Sequence, residues 1–192
     1  MIRKLSLVAL AAVLVAPTAR AQTQVQATGA TGAVNDVLFA EVAAIGGLAE
    51  LTISELGQTK ATDPELKKFS SRMIADHTRL NQQLMTLAGQ KGIALPKTLD
   101  TRSTFCSQSL AGLSGEKFDM CYAKAQVQVH MESVAAFEAE AERGQDPDVK
   151  ALAAKALPVI KEHLQMIKPI AMRYEKDQNA AGAHGNQDTP RP

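Results

Sequence analysis

Residues 63–92 read DPELKKFSSRMIADHTRLNQQLMTLAGQKG. Asp63 is an N-cap whose carboxylate can accept from the first free backbone amides. Pro64 suits the first turn, where its missing N–H costs nothing. Gly92 is the C-terminal stop. Between these marks Leu66, Phe69, Met73, Leu80, Leu84 and Leu87 recur at the helix period and form one apolar stripe. The segment predicts a long amphipathic helix.

The same cap recurs at Asp146-Pro147-Asp148. There the stripe is Val149, Leu152, Ala156, Ile160, Leu164 and Ile167, and the helix is expected to end near Arg173. Pro158 inside it removes one backbone hydrogen bond and predicts a kink. Two more helices complete the reading. One covers 36–58 with Asp36 as its cap, and one runs from after Ser114 to Arg143, stopped by Gly144. No sustained period-2 run of β-branched residues is present, so the expectation is all-α. Short turns join helices 1–2 and 3–4. A long connection, from Gly92 to Ser114, joins helices 2 and 3 and has room for a short extra helix over 99–113. One long connection is the ferritin-like arrangement of a four-helix bundle; a plain up-down bundle with a decorated loop is the alternative.

The ends of the chain read differently. Arg3 and Lys4 precede an apolar run over 5–15, and Ala19-Arg20-Ala21 has the small-x-small form of a cleavage site. Residues 1–21 are therefore expected to be a secretory signal peptide, the run being short of the roughly 20 residues that span a bilayer. Residues 22–34 read as a flexible linker, 35–175 as the folded domain and 176–192 as a disordered tail. His184 falls in that tail and is left out of any site. The expected location is periplasmic or secreted, with no membrane span after cleavage.

Composition narrows function by exclusion. The 192 residues are 45% apolar and 21% charged, which suits one soluble domain. Lys and Arg total 21 against 20 Asp and Glu, so no strongly basic nucleic-acid surface is available. No phosphate-binding glycine loop and no Ser-His-Asp order is visible. A homo-oligomer or an envelope protein as partner stays open.

The chemistry lies in the gaps of the stripes. His77 fills the step between Met73 and Leu80. His130 sits between Val127 and Val134, and His163 between Ile160 and Ile167. Helix 1 has no histidine but carries Glu50 on a face of small residues, with Ala43, Gly46 or Gly47, and Gly57. Glu50 and His77 are equally far from the Asp63-Pro64 turn, about 20 Å along their helices. His130 and His163 are equally far from the Asp146-Pro147 turn, about 25 Å. All four thus fall near the middle of helices about 40 Å long, whichever way the hairpins run. Three imidazoles and a carboxylate make a first coordination sphere for Zn, Cu, Mn or Fe. Asp76 and Glu162, each preceding a histidine, are candidates to orient imidazoles on neighbouring helices. The competing reading is a metal-free polar network that fixes helix register. Met73 and Met166 lie one turn from histidines and would suit copper, but serve equally as core filler.

Cys106 and Cys121 are the only cysteines, and an even count in an exported chain favours a disulfide between them. Two separate core thiols or soft metal ligands are the alternatives.

The segments Gly47-Leu48-Ala49-Glu50, Arg72-Met73-Ile74-Ala75-Asp76-His77 and Leu157-Pro158-Val159-Ile160-Lys161-Glu162-His163-Leu164 resemble DUF4142, an exported bacterial family of unknown function. The likeness covers about 37–171 and implies a ferritin-like four-helix fold without an assigned activity. Its members often carry an outer-membrane label, which fits poorly with a chain lacking a barrel-type strand series. The third histidine of the family usually follows an acidic residue; here the pair is Val129-His130. Di-iron sites of the ferritin type place Glu three residues before His, whereas here Ile74 and Ile160 hold those places, so a di-iron centre is not expected. The leading expectation is a metal-binding protein, with envelope stress as one setting for it. A structural or interaction module comes next, and a metal-dependent oxidoreductase last.

Overall fold

The computed structural model describes residues 34–185, with side chains through 177. The expected signal peptide, and nearly all of the linker, lie outside the described residues. Among the described residues there are five helices and no strand: α1 Asp36–Lys60, α2 Pro64–Lys91, α3 Thr101–Ala111, α4 Gly115–Arg143 and α5 Pro147–Gly185.

The caps explain most boundaries. Asp63 Oδ1 accepts from the Glu65 amide at 2.8 Å, and Gly92 closes α2 in the left-handed region at φ 67°. Asp146 Oδ1 accepts from the amides of Asp148 (2.9 Å) and Val149 (3.2 Å). The cap of α1 differs from the expectation. Asn35 Oδ1 accepts from Val37 (3.0 Å) and Leu38 (3.2 Å). Asp36 instead accepts from the Gln145 amide at 2.8 Å, tying the start of α1 to the α4–α5 turn. α5 also passes Arg173, the expected end, and runs to Gly185. Residues 174–181 contain neither Gly nor Pro to stop it. It is helical through Pro158 and Pro169.

Side-chain and backbone contacts at both ends fix the topology. Thr62 N donates to Asp119 Oδ1 at 3.0 Å, so the end of α1 meets the start of α4. Val34 N donates to Arg143 O at 3.2 Å, so the start of α1 meets the end of α4. Lys91 pairs with Asp146 at 2.8 Å, and Arg173 with Glu65 at 2.6 Å, which sets α2 antiparallel to α5. α1, α2, α5 and α4 therefore close a ring in which every neighbouring pair is antiparallel. The connection from α2 to α4 must run the length of the helices. α3 lies along that path against α1 and α4. Lys60 Nζ donates to Ala111 O at 2.7 Å, and Arg102 pairs with Glu132 at 2.7 Å.

α1 has a mean hydropathy of 1.6 over its most apolar window, enough by length and composition to cross a membrane. The sequence reading of no second apolar span after the signal peptide is corrected here. Half of that window is buried against the other helices, as in the core helix of a folded domain.

The apolar core is divided. One cluster, including Ile53, Leu66, Phe69, Met73, Phe118, Tyr122 and Ile167, fills the end near the α1–α2 turn. The other, including Phe39, Ala40, Leu84, Val149 and Ala153, fills the opposite end. On each of the four long helices the residue singled out from sequence lies between the two.

Cys106 and Cys121 are free thiols, which corrects the expected disulfide. Both are half-buried and pack against the first cluster as small apolar side chains.

Candidate metal centre

Three helices each turn one histidine inward at the same level. His77 of α2 is 5% exposed, and His130 of α4 and His163 of α5 are fully buried. Their ring centroids are 5.8 Å (His77–His130), 5.4 Å (His77–His163) and 5.4 Å (His130–His163) apart. Each can offer one ligand nitrogen such that all three lie within 4.8 Å of one another. With metal–nitrogen distances of about 2.0–2.1 Å, a modest side-chain adjustment lets one ion touch all three.

The hydrogen bonds set the tautomers. His163 Nε2 is 3.0 Å from Asp76 Oδ2, and a carboxylate can only accept, so Nε2 carries the proton. His130 Nδ1 is 2.9 Å from the Gln126 carbonyl and donates to it. The lone pairs are then on His163 Nδ1 and His130 Nε2. Those two atoms, together with His77 Nε2, have no hydrogen-bond partner. Each buried orphan of this kind costs on the order of 1–3 kcal/mol. A metal ion would satisfy all three at once, and the donor set therefore fits one. Imidazoles oriented by a carboxylate or a carbonyl on the far nitrogen are the usual support for metal-bound histidine.

Electrostatics keep the rings neutral, as metal binding requires. Burial, reinforced by the neighbouring imidazoles, lowers His77 to about 3. Burial lowers His130 to about 4, against the opposing pull of the Gln126 carbonyl. Burial lowers His163 too, with Asp76 acting in the opposite sense. Asp76 stays an anion: burial would raise it, but hydrogen bonds from Arg72 and His163 outweigh that and lower it. Arg79 adds a contact to its other oxygen at 2.9 Å.

Two expected participants stand elsewhere. Glu50 is fully buried, but it approaches His130 from behind, with Oε1 3.0 Å from Nδ1, the protonated nitrogen. It is not a member of the ligand group, and neither of its oxygens has a hydrogen-bond partner. Burial pushes its carboxyl well above the usual range, against a smaller pull from Gln126, which favours the neutral acid. Glu162 points outward and pairs with Arg72 at 3.4 Å, touching no imidazole. Neighbours on a helix point about 100° apart, and His163 takes the inward position. Met73 and Met166 belong to the apolar cluster.

Sequence reasoning passed over the polar column beneath Glu50. Tyr122 OH and Ser70 Oγ are 2.7 Å apart, and Gln126 Nε2 donates to Ser54 Oγ (3.1 Å) and Tyr122 OH (3.2 Å). Tyr122, Gln126 and His130 are spaced by four on α4, as are Glu50 and Ser54 on α1. That shared spacing is the signal that could have found them.

Solved structures share this fold at low identity. A DUF305 fragment from Deinococcus radiodurans superposes with a TM-score of 0.64 at 12% identity, covering 72% of this chain and 95% of that one. A candidate secreted DUF305 protein from Streptomyces coelicolor gives 0.61 at 15% identity, covering 73% and 92%. CopM in its Cu(II)-bound form gives 0.63 at 17% identity, covering 74% and 99%. No curated protein matches the sequence. The model of the domain of unknown function DUF4142 matches residues 20–170, and the chain belongs to that family.

Proposed function

We propose that this protein binds one transition-metal ion through His77, His130 and His163. The observation that carries the reading is the set of three buried imidazole nitrogens, one per ring, that have no hydrogen-bond partner. Neutral nitrogen donors without a carboxylate suit zinc or copper better than manganese. The likeness to Cu(II)-bound CopM supports copper within that pair. Asp76 and the Gln126 carbonyl orient the rings, and Arg72 and Arg79 hold Asp76 charged. A purely structural network is the weaker reading, because it leaves those three nitrogens unsatisfied.

The antiparallel ring with its end-to-end connection is a ferritin-like four-helix bundle, without the Glu-x-x-His carboxylates of a di-iron centre. The chain is an exported protein, with 1–21 removed and 22–34 a linker to a domain over 35–175. α5 continues to Gly185, within the segment expected to be tail.

The test is elemental analysis of tag-free protein beside the His77→Ala/His163→Ala double variant. About one equivalent of copper or zinc in the wild type, absent from the variant, is the expected result. A wild type free of metal that gains no thermal stability from either ion overturns the reading.

A further inference from the structure

A cavity of about 270 Å³ lies beside the triad, lined by residues of all five helices. His77 is on its wall, and that side chain is 5% exposed with an unpartnered Nε2. The wall is mostly apolar, with Ile45, Leu80, Phe137 and Ile160 among its residues. Its charged groups gather on one side. Asp100, Arg102 and Glu132 belong to the α3 side, where Arg102 and Glu132 are more than 45% exposed and mark the mouth. Asn81 and His77 also line it, with Gln83, Ser103, Gln128 and Ser133 as its other uncharged polar residues.

The paired glycines of α1 have separate effects here. A Cβ on Gly47 would run into the Asn81 amide, so this glycine lets that amide lie against α1. A Cβ on Gly46 would meet nothing closer than Ser133 Oγ at 3.9 Å, so this glycine leaves the space open. Each glycine weakens the helix relative to alanine. A helix that needed only to pack would gain from a side chain at Gly46. Apolar walls with a few placed polar groups are the usual make-up of a small-molecule site.

We propose that this cavity binds a small uncharged molecule, largely apolar and of two-ring size, with its polar end toward Asn81 and His77. An apolar cavity of about 150 Å³ takes one benzene ring, and this one is nearly twice as large. The ligand is uncharged in this proposal because the wall is mostly apolar and its Arg102 and Glu132 already pair with each other.

The test uses the full chain stripped of metal by a chelator, with naphthalene and indole as probes followed by ligand-observed NMR and titration. Saturable binding of at least one probe is expected, weakened at least tenfold by Gly46→Leu, which fills the space from α1. Ala136→Leu fills it from α4 and serves if the first variant fails to fold. Failure of both probes to bind the wild type overturns the proposal. So does unchanged affinity in the filled variant, which places the probe elsewhere. Copper and zinc stoichiometry is read separately. Probe binding without metal binding would break the proposed function and leave this inference standing.

Discussion

Two buried polar clusters sit next to each other in this core, and they are built differently. The column of Ser54, Ser70, Tyr122 and Gln126 largely closes on itself: both hydroxyls, the phenol and the amide nitrogen have partners. Only Gln126 Oε1 is left over. The triad one turn away keeps a free nitrogen on every ring, and Glu50 beside it has only a 3.0 Å approach to His130 Nδ1 that falls short of a hydrogen bond. Folding alone explains the first cluster, since satisfied buried hydrogen bonds fix register at little net cost. It does not explain the second, whose bare groups oppose folding until something binds them. The difference supports reading the column as a structural device and the triad as the proposed metal site, even though both are buried and share α2 and α4.

The sharpest way to test that contrast is acid. His77 at about 3 and His130 at about 4 are both held below the ordinary 6.5 by burial, while the unfolded chain restores the ordinary value. The unfolded state therefore binds more protons between pH 6.5 and about 4. Stability rises with pH across that window and is lost as pH falls through it. Each group contributes up to about 1.4 kcal/mol per pH unit. Metal-free protein is expected to lose about 3 kcal/mol between pH 6.5 and 5.0 by denaturant unfolding. The His77→Gln/His130→Gln variant should lose less than about 1 kcal/mol. Equal losses in the two proteins would count against neutral buried rings.

The closed column predicts the opposite behaviour. Tyr122→Phe removes the phenol that links Ser70 to Gln126 and should cost about 1–2 kcal/mol. Because the column has no ligand to gain, that loss should be the same with and without copper or zinc. A loss that grows on metal addition would join the column to the site. Gly57 belongs to the same test, since a Cβ there would run into Ser70 Oγ and the Tyr122 ring. Gly57→Ala should destabilise despite alanine's higher helix propensity.

The sequence disclosed one cluster and hid the other for the same physical reason. A histidine between Val127 and Val134, or between Ile160 and Ile167, interrupts an apolar stripe visibly, because few polar groups belong there. Serine, glutamine and tyrosine are common on exposed faces, so Ser54, Ser70, Gln126 and Tyr122 raised no alarm. The all-α class and most helix boundaries were legible from Asp-Pro caps and Gly stops, which act locally. The roles of Glu50, Glu162 and the cysteines were not. Each depends on where a side chain points within a turn, and spacing along one helix cannot set that against three neighbours. Asp36 shows the same limit: adjacent Asn35 took the cap and freed Asp36 for the α4–α5 turn.

A third buried polar group extends the comparison to the far end of the helices. Glu140 is buried beside Asp36, and burial followed by that neighbouring carboxylate raises it to about 7. Asp36 is lowered in turn: burial would raise it, but the hydrogen bond from Glu140 and the amides of Gln145 and Asp146 prevail. Here the sign reverses relative to the triad. The folded state holds the proton more tightly than the unfolded one, whose ordinary value is 4.5. The stabilisation is complete below about 4.5 and is lost as pH rises to about 7. Solvent near the helix ends trims the effect to about 1 kcal/mol. Glu140→Gln keeps a donor for Asp36 and cannot ionise. It should therefore be the more stable protein at pH 8 by about 1 kcal/mol and match the wild type at pH 5. Chemical unfolding at the two pH values reads this directly. A variant equally offset at both would mean that the Glu140 proton is not shared with Asp36.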